Sequence, residues 1–411
     1  MKKLNEFLFE VYKNNEFYQD VIKKNNISEP TVITQYPILT RNQLQQNRYN
    51  MFSKGYKAKY FSQQLHRQFS SGSSGMPINV YWDAHDYHCS MIPLWRRRKK
   101  YYNISPNDKV IKFTLMAFDL EGKSNGMYYH QTNNAALISR ASLKTDQDYI
   151  EAIKFINESC PIWLYIQPYI LSKLIYYYKK EKTSPPSSLR YIESVGEILS
   201  DGLHNEAESF FNVPVANMYG SEEMNGIAYE CPYHHMHILT ENVFVECLDD
   251  NGKVCSSGEG EAIITNLNNK TMPLVRYNQG DIIVLHDKDI HCNCGLCTPV
   301  IDVIKGRTQE NITIDNIEIN SYSLSELITE VNNIFNDPII EYKFQYFTHE
   351  CELVCKIKLD KTFLLWRSKI IEKTKELFEY KTCNSKNISF RVIVDELEIE
   401  NKRKFAVLDI I

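Results

Sequence analysis

Residues 69–77 read FSSGSSGMP, and the rest of the chain is organised around them. Four serine hydroxyls and two glycines fall within the eight residues 70–77. The flanks look ordered, with an aromatic at Phe69 on one side and a β-prone run from Ile78 to Trp82 on the other. Glycines without Cβ let backbone N–H groups approach a ligand closely, and hydroxyls add donors, a combination suited to a phosphate tail. The same composition suits a flexible linker between domains. No Gly-Lys-Ser/Thr closes the loop, so it is not a Walker A motif. The choice between the two readings rests on partners elsewhere in the chain.

A chain of 411 residues exceeds one compact core, so two or three domains are expected. Hydrophobic residues make up 43% and charged residues 24%, an ordinary globular balance. The net charge of −4, from 47 basic and 51 acidic residues, argues against a general binder of nucleic acid or of an anionic membrane. No run reaches the length of a membrane span. The N-terminal MKKLNEFLFEVYKNNEFY is interrupted by Glu6 and Glu10 and reads as an amphipathic helix, not a signal peptide. Eleven cysteines without a secretion signal point to a reducing compartment, the cytoplasm, where they serve as buried thiols or metal ligands.

Outward from the Ser/Gly loop, residues 1–65 look helical and polar, with a break at Pro30. From the loop to about Leu203, β-rich runs (110–116, 162–166) alternate with helical ones (147–158, 171–180), and residues 184–197 supply a turn, a strand and a tight Gly turn. That alternation predicts a parallel α/β sheet with helices packed on it. Residues 242–285 change to short strands joined by turns at Asn251-Gly252 and Ser257-Gly258, a more antiparallel pattern. After Gly306-Arg307 come a helical run (324–334), two strands (341–347, 352–359), an amphipathic helix (364–380) and a last strand (388–394), a β/α unit of autonomous size.

Four further stretches carry chemistry. Asn217-Met218-Tyr219-Gly220-Ser221-Glu222-Glu223 sets an aromatic ring, able to stack on a base, beside carboxylates able to hold Mg²⁺ through oxygen. Arg276-Tyr277-Asn278-Gln279-Gly280-Asp281 places a carboxylate after a Gly turn, where it can accept both hydroxyls of a ribose or serve only as a turn residue. Gly306-Arg307 offers a guanidinium to a phosphate at the domain junction. Asn401-Lys402-Arg403-Lys404-Phe405 is a basic tip near the C-terminus.

In this order and at these separations, the five stretches resemble the adenylate-forming enzymes, in the branch of phenylacetate–CoA ligase and the capsular-polysaccharide adenylyltransferase-like proteins. SSGSSGMP resembles that family's phosphate loop, SVGE (194–197) its adenine-side turn, MYGSEE its Tyr-Gly-x-x-Glu motif, RYNQGD its Arg-x-x-x-Gly-Asp motif, and Gly306-Arg307 its hinge. The resemblance covers residues 65–310 well and the C-terminal block loosely. It implies an α/β fold with mixed sheets. Residues 1–306 would form a large N-terminal ATP- and acid-binding domain, and residues 307–411 a small mobile C-terminal α+β lid domain. It further implies that Ser70, Ser71, Gly72, Ser73, Ser74 and Gly75 cradle the β- and γ-phosphates of ATP. Glu223 binds Mg²⁺, Tyr219 lies against the adenine with Glu197, Asn217, Met218, Gly220 and Ser221 around it, and Asp281 accepts the ribose hydroxyls. Arg307 contacts ribose or phosphate, and Lys402 swings in to the α-phosphate and the carboxylate. The chain departs from the family's pattern at Ile78 (often Lys), Glu222 (usually Ser or Thr), Gln309 (usually Asp) and Asn401 (usually Gly before the lysine), which keeps Lys404 as an alternative to Lys402.

Two short clusters, Cys231 with His234, His235 and His237, and His291 with Cys292, Cys294 and Cys297, suit tetrahedral zinc. The resemblance implies Cys231, His237, Cys292 and Cys294 as ligands of a structural zinc, with His234, His235, His291 and Cys297 as substitutes. The implied chemistry is attack of a carboxylate on the α-phosphorus of Mg-ATP, release of pyrophosphate, and transfer of the acyl group from acyl-AMP to a thiol of CoA or of the phosphopantetheine arm of an acyl carrier protein, with the carrier slightly favoured. Family pocket walls map to 113–118, 165–169, Val195 and 217–218, aromatic and apolar here, which favours an aryl acid. The basic run Arg96-Arg97-Arg98-Lys99-Lys100 could meet CoA phosphates or an acidic carrier helix, or be a solvated face. A homodimer is an allowed assembly, and a non-catalytic nucleotide-binding homologue is the rival reading.

Overall fold

The computed structural model describes residues 2–69, 78–114, 118–120, 123–126, 128–132, 134–287, 291–307, 311–315, 317–335, 338–394 and 407–411. They form two compact units, Met1–Pro106 with Ala216–Ile304, and Asn107–Val215 with Lys305–Ile411. The protein is of mixed α/β class, as expected.

The first unit opens with helix Lys2–Asn14, which buries Leu4, Phe7, Leu8 and Val11 at the i, i+3, i+4, i+7 spacing of one face. Asn15 ends it and caps the next helix, Glu16–Lys24, by accepting from the Tyr18 N–H. These helices pack on a sheet running, in spatial order, Val254–Cys255, Val243–Leu248, Gly258–Asn266, Tyr277–His286, Val300–Arg307, Met236–Ile238, Asn225–Glu230 and Val215–Ser221. The pairs Val243–Leu248 with Gly258–Asn266, and Gly258–Asn266 with Tyr277–His286, are antiparallel, as the short strands and turns of 242–285 predict. Buried Arg276 joins helical and sheet layers: Nε and Nη2 grip both carboxylate oxygens of buried Glu246 at 2.9 and 3.0 Å, while Nη1 donates to the Tyr36 carbonyl at 2.7 Å.

In the second unit, Val110–Thr114 lies parallel to Ala135–Ser139 and to Trp163–Ile166, which in turn lies parallel to Tyr191–Val195. One face (Ile111, Phe113, Ile138, Leu164, Ile166, Ile192) packs with residues of helices Asp146–Ser159, Pro168–Lys180 and Asp201–Phe211. Phe113, expected in an acid-pocket wall, belongs to this core. The C-terminal block has its own core beneath a sheet ordered Ser389–Val394, Glu352–Leu359, Ile339–Phe347, Leu408–Ile410. The parallel strand Leu408–Ile410 and the hairpin Ile312–Ile314 with Ile317–Ile319 are too short to carry a periodic signal. The expected helix start at Leu364 is instead a 3₁₀ turn, Lys361–Trp366, capped by Asp360, and the α-helix runs Arg367–Lys381. Among the described residues no helix is long and apolar enough to cross a membrane.

Candidate functional site

The ends of the Ser/Gly loop are paired to each other. His66–Phe69 runs antiparallel to Asn79–Trp82, with Phe69 opposite Asn79, so residues 70–77 connect two strands of one hairpin. Flanks bonded together within one unit do not behave as the ends of an interdomain linker. Gln68 Nε2 donates to Asn225 Oδ1 at 3.0 Å, and Asn225 Nδ2 donates to Ser90 Oγ at 2.7 Å. The loop's stem is thereby tied to the turn that carries Glu223.

That turn joins Val215–Ser221 to Asn225–Glu230, with a register shift between Tyr219 and Gly220. A Cβ on Gly220 would stand 2.5 Å from the Asn225 carbonyl oxygen, so the hairpin closes only over glycine. Of the two adjacent carboxylates, Glu222 is exposed while Glu223 is 6% exposed. On Tyr277–His286, Gly280 takes φ +77°, a left-handed conformation that costs glycine little, and Asp281 follows it. Tyr219 Oη donates to Asp281 Oδ2 at 2.7 Å, Gln279 Nε2 donates to Tyr219 Oη at 3.2 Å, and Ser221 Oγ bonds Gln279 Oε1. Two motifs some sixty residues apart thus share one hydrogen-bonded cluster. Asn217 stands beside it, its N–H donating to Glu230 at 2.6 Å, and Met218 pairs with Tyr229 in the same hairpin. Gln279 and Gln68 were given no role from the sequence; Gln279 lies inside the quoted RYNQGD motif, whereas Gln68 carries no motif signal.

Glu197, in the second unit, accepts from Arg140 Nη1 at 3.2 Å and from the Tyr169 N–H at 3.2 Å. Burial pulls the Arg140 guanidinium below its ordinary value and Glu197 opposes that shift. Arg307 ends strand Val300–Arg307. Ser70, Ser71, Gly72, Ser73, Ser74, Gly75, Gln309, Asn401, Lys402 and Lys404 lie outside the described residues.

The thiols and imidazoles come together in the first unit. Cys231, His237, Cys292 and Cys294 each present a ligand atom, all within 4.8 Å of one another. Cys231 Sγ and Cys292 Sγ are 3.6 Å apart, and Cys294 Sγ and His237 Nε2 are 3.3 Å apart. Zinc–sulfur bonds of about 2.3 Å at tetrahedral angles set sulfurs about 3.7 Å apart, so the donor set fits that ion. His237 Nδ1 is engaged by Thr298 Oγ1 at 3.1 Å, which leaves Nε2 for the cluster. Burial lowers His237 to about 4, keeping the imidazole neutral as a metal ligand must be. Of the substitutes, His235 Nδ1 stands 3.4 Å from Cys292 Sγ, His234 faces Glu230 at 3.0 Å, and Cys297 is exposed.

The basic run has other employment. Arg96 pairs with Glu241 at 2.9 Å, Arg98 is buried with its guanidinium over the Trp95 ring, Lys99 bonds Asn103, and Lys100 Nζ donates to the Cys294 carbonyl at 3.1 Å. Arg98 alone of the run is buried; Arg96, Lys99 and Lys100 make these contacts from exposed positions.

A parallel α/β sheet, an antiparallel sheet carrying the Tyr219–Asp281 cluster, and a C-terminal β/α block define the class of the ATP-dependent, acid-activating ligases. Residues 62–266 match the model of the AMP-binding enzyme family. The chain is 23% identical to protein CapK of Staphylococcus aureus over 386 residues, 85% of this chain and 82% of that one. It is 28% identical to the phenylacetate-coenzyme A ligase of Thermus thermophilus over 149 residues, 34% and 33% of the two chains. Its fold is similar to that of a solved structure of 2-hydroxyisobutyryl-CoA ligase, described as in the postadenylation state, with a TM-score of 0.76 at 13% identity over 99% of this chain and 88% of the other. The chain belongs to the adenylate-forming superfamily of AMP-binding enzymes.

Proposed function

We propose that the protein activates a carboxylic acid with Mg-ATP, releases pyrophosphate, and passes the acyl group from acyl-AMP to a thiol. The observation that carries this reading is the Tyr219 Oη to Asp281 Oδ2 hydrogen bond at 2.7 Å, which joins an aromatic suited to adenine with a carboxylate suited to a ribose. The Ser/Gly loop from Ser70 to Gly75 holds the β- and γ-phosphates, a role supported by its hairpin stem and by the Gln68–Asn225 tie. Glu223 holds Mg²⁺, which supplies charge neutralisation on the phosphates. Arg307 contacts ribose or phosphate at the hinge. Lys402, carried by the block 307–411 as a lid on residues 1–306, brings positive charge to the α-phosphate as negative charge develops there. Cys231, His237, Cys292 and Cys294 hold zinc with four protein ligands, a closed set that braces loops and does no chemistry.

The acceptor is the thiol of CoA. This is supported by the CoA-linked relatives, while the exposed Arg96, Lys99 and Lys100 suit CoA phosphates and an acidic carrier helix alike. An aryl acid keeps the support of half-buried Tyr165 but loses that of Phe113, which lies in the core.

ATP–pyrophosphate exchange with a panel of aryl and aliphatic acids tests the reading. Exchange with at least one acid is expected, and Lys402→Ala should lose about a hundredfold or more of it while ATP still raises the melting temperature. Unchanged exchange in that variant moves the role to Lys404. No exchange with any acid, despite an ATP-induced shift, makes the protein a non-catalytic nucleotide-binding homologue.

A further inference from the structure

Parallel strands covered on both faces are normally rows of Val, Ile and Leu. In the second unit one face obeys this rule and the other does not. The register pairs Thr114 with Ser139, and continuing the Lys112–Tyr165 register by two residues sets Gln167 on the other side of Thr114. Ser139, Thr114 and Gln167 therefore form one polar rung at the carboxyl ends of three neighbouring parallel strands, the end where open α/β sheets receive ligands. The rung below holds Lys112, Tyr165 and Glu193 in register.

Ser139 is 0% and Gln167 7% exposed. Yet Ser139 Oγ, Thr114 Oγ1 and Gln167 Oε1 have no hydrogen-bond partner among the described residues. Buried polar atoms are ordinarily paired, and three orphans in adjacent register positions are costly unless something else bonds them. Gln167 narrows what that is. Its Nε2 donates to the Phe113 carbonyl at 3.3 Å, which orients the amide and leaves Oε1 as an acceptor. Whatever meets Oε1 must donate a proton. Next to it, exposed Gly196 leaves room: a Cβ there would meet only Gln167 Cγ, at 3.9 Å.

We infer that the carboxylic acid taken by this enzyme carries an O–H or N–H group of its own, which donates to Gln167 Oε1 beside the hydroxyls of Ser139 and Thr114. The inference rests on the acid activation proposed above and adds the class of acid: hydroxy- or amino-substituted. A site built to hydrogen-bond such a group rejects the analogue lacking it far more strongly than an apolar pocket rejects a missing methylene.

The test is ATP–pyrophosphate exchange by the full chain on matched acids: benzoate against 3-hydroxybenzoate and 3-aminobenzoate, and butyrate against 3-hydroxybutyrate and 3-aminobutyrate. At least one substituted acid is expected to exceed its parent by about a hundredfold in kcat/KM. The hydroxy and amino arms show which donor is used. Gln167→Leu should cut that ratio by about tenfold or more, as should Thr114→Val, which decides the matter if the first variant shows no ATP-induced thermal shift. Parents used as well as their substituted partners, or a ratio that survives both substitutions, overturn the inference and leave the ligase reading standing. No exchange with these six or with any other acid of the aryl and aliphatic panel, although ATP still raises the melting temperature, overturns both.

Discussion

Asp281 and Glu246 are both carboxylates of the first unit, and their partners give them different work. Asp281, on the strand that also carries Gln279, accepts from the Tyr219 hydroxyl. Asp281→Asn should weaken ATP affinity ten- to a hundredfold, since a hydrogen bond to a charged group contributes about 1.5–3 kcal/mol. Calorimetric titration with ATP checks this, and the variant should unfold within about 1 kcal/mol of the wild type. Glu246 is instead gripped by Arg276, both buried, and burial raises its carboxyl while Arg276 opposes the shift. Arg276→Met would strand that carboxylate and leave the Tyr36 carbonyl without its donor. A loss of about 3–5 kcal/mol in denaturant unfolding is expected. The motif RYNQGD thus joins an arginine that grips a buried carboxylate to an aspartate bonded to Tyr219, a difference that only partners reveal.

At the scale of elements, the hairpin turn and the cysteine knuckle were legible from local composition, because each is built by contiguous residues. Glycine at 220 and thiols two residues apart at 292 and 294 are requirements of a backbone path only a few residues long. Gly220→Ala, with its new methyl against the Asn225 carbonyl, should disturb the turn holding Glu223 and lower pyrophosphate exchange about tenfold or more, with a smaller change in stability. Metal analysis of the purified protein should find one zinc per chain. Cys294→Ser or a strong chelator should remove it and lower the melting temperature, since ligand binding to the folded state is folding free energy. Retention of zinc by that variant would shift the ligand set toward His235, the next imidazole in reach. The strand Leu408–Ile410 was not legible: three residues show no periodicity, and its place is set by pairing with Phe344 to Tyr346.

Across the molecule, the buried pair of Lys173 and Glu341 ties helix Pro168–Lys180 to the first long strand of the C-terminal block inside the second unit. Lys173 is 1% exposed, with Tyr149 and Tyr169 rings about it, and Lys358 also reaches the same Glu341 oxygen, at 3.4 Å. Burial lowers the Lys173 ammonium from 10.5 to about 8, with Glu341 opposing. Between those two values the unfolded chain holds a proton that the folded chain has released, so unfolding takes one up. Raising the pH disfavours that uptake, and stability should rise from about pH 8 toward 10.5, by no more than about 3 kcal/mol. Denaturant unfolding at pH 7.5 and 9.5 should show this gain in the wild type and not in Lys173→Met.

Motif order, through its resemblance to the adenylate-forming enzymes, determined the class, the alternation of segments the mixed α/β architecture, and the two cysteine–histidine clusters the four residues that the fold brings within 4.8 Å of one another. Those features are written in stretches of ten residues or fewer, where backbone geometry and side-chain chemistry act locally. Only the tertiary structure decided which side chains meet and which strand positions align: Tyr219 with Asp281 across 62 positions, Lys173 with Glu341 across 168, Arg276 with Glu246, and Thr114 in register with Ser139. Such meetings depend on strand register and packing, which sum small contributions from the whole chain and leave no mark in any one segment.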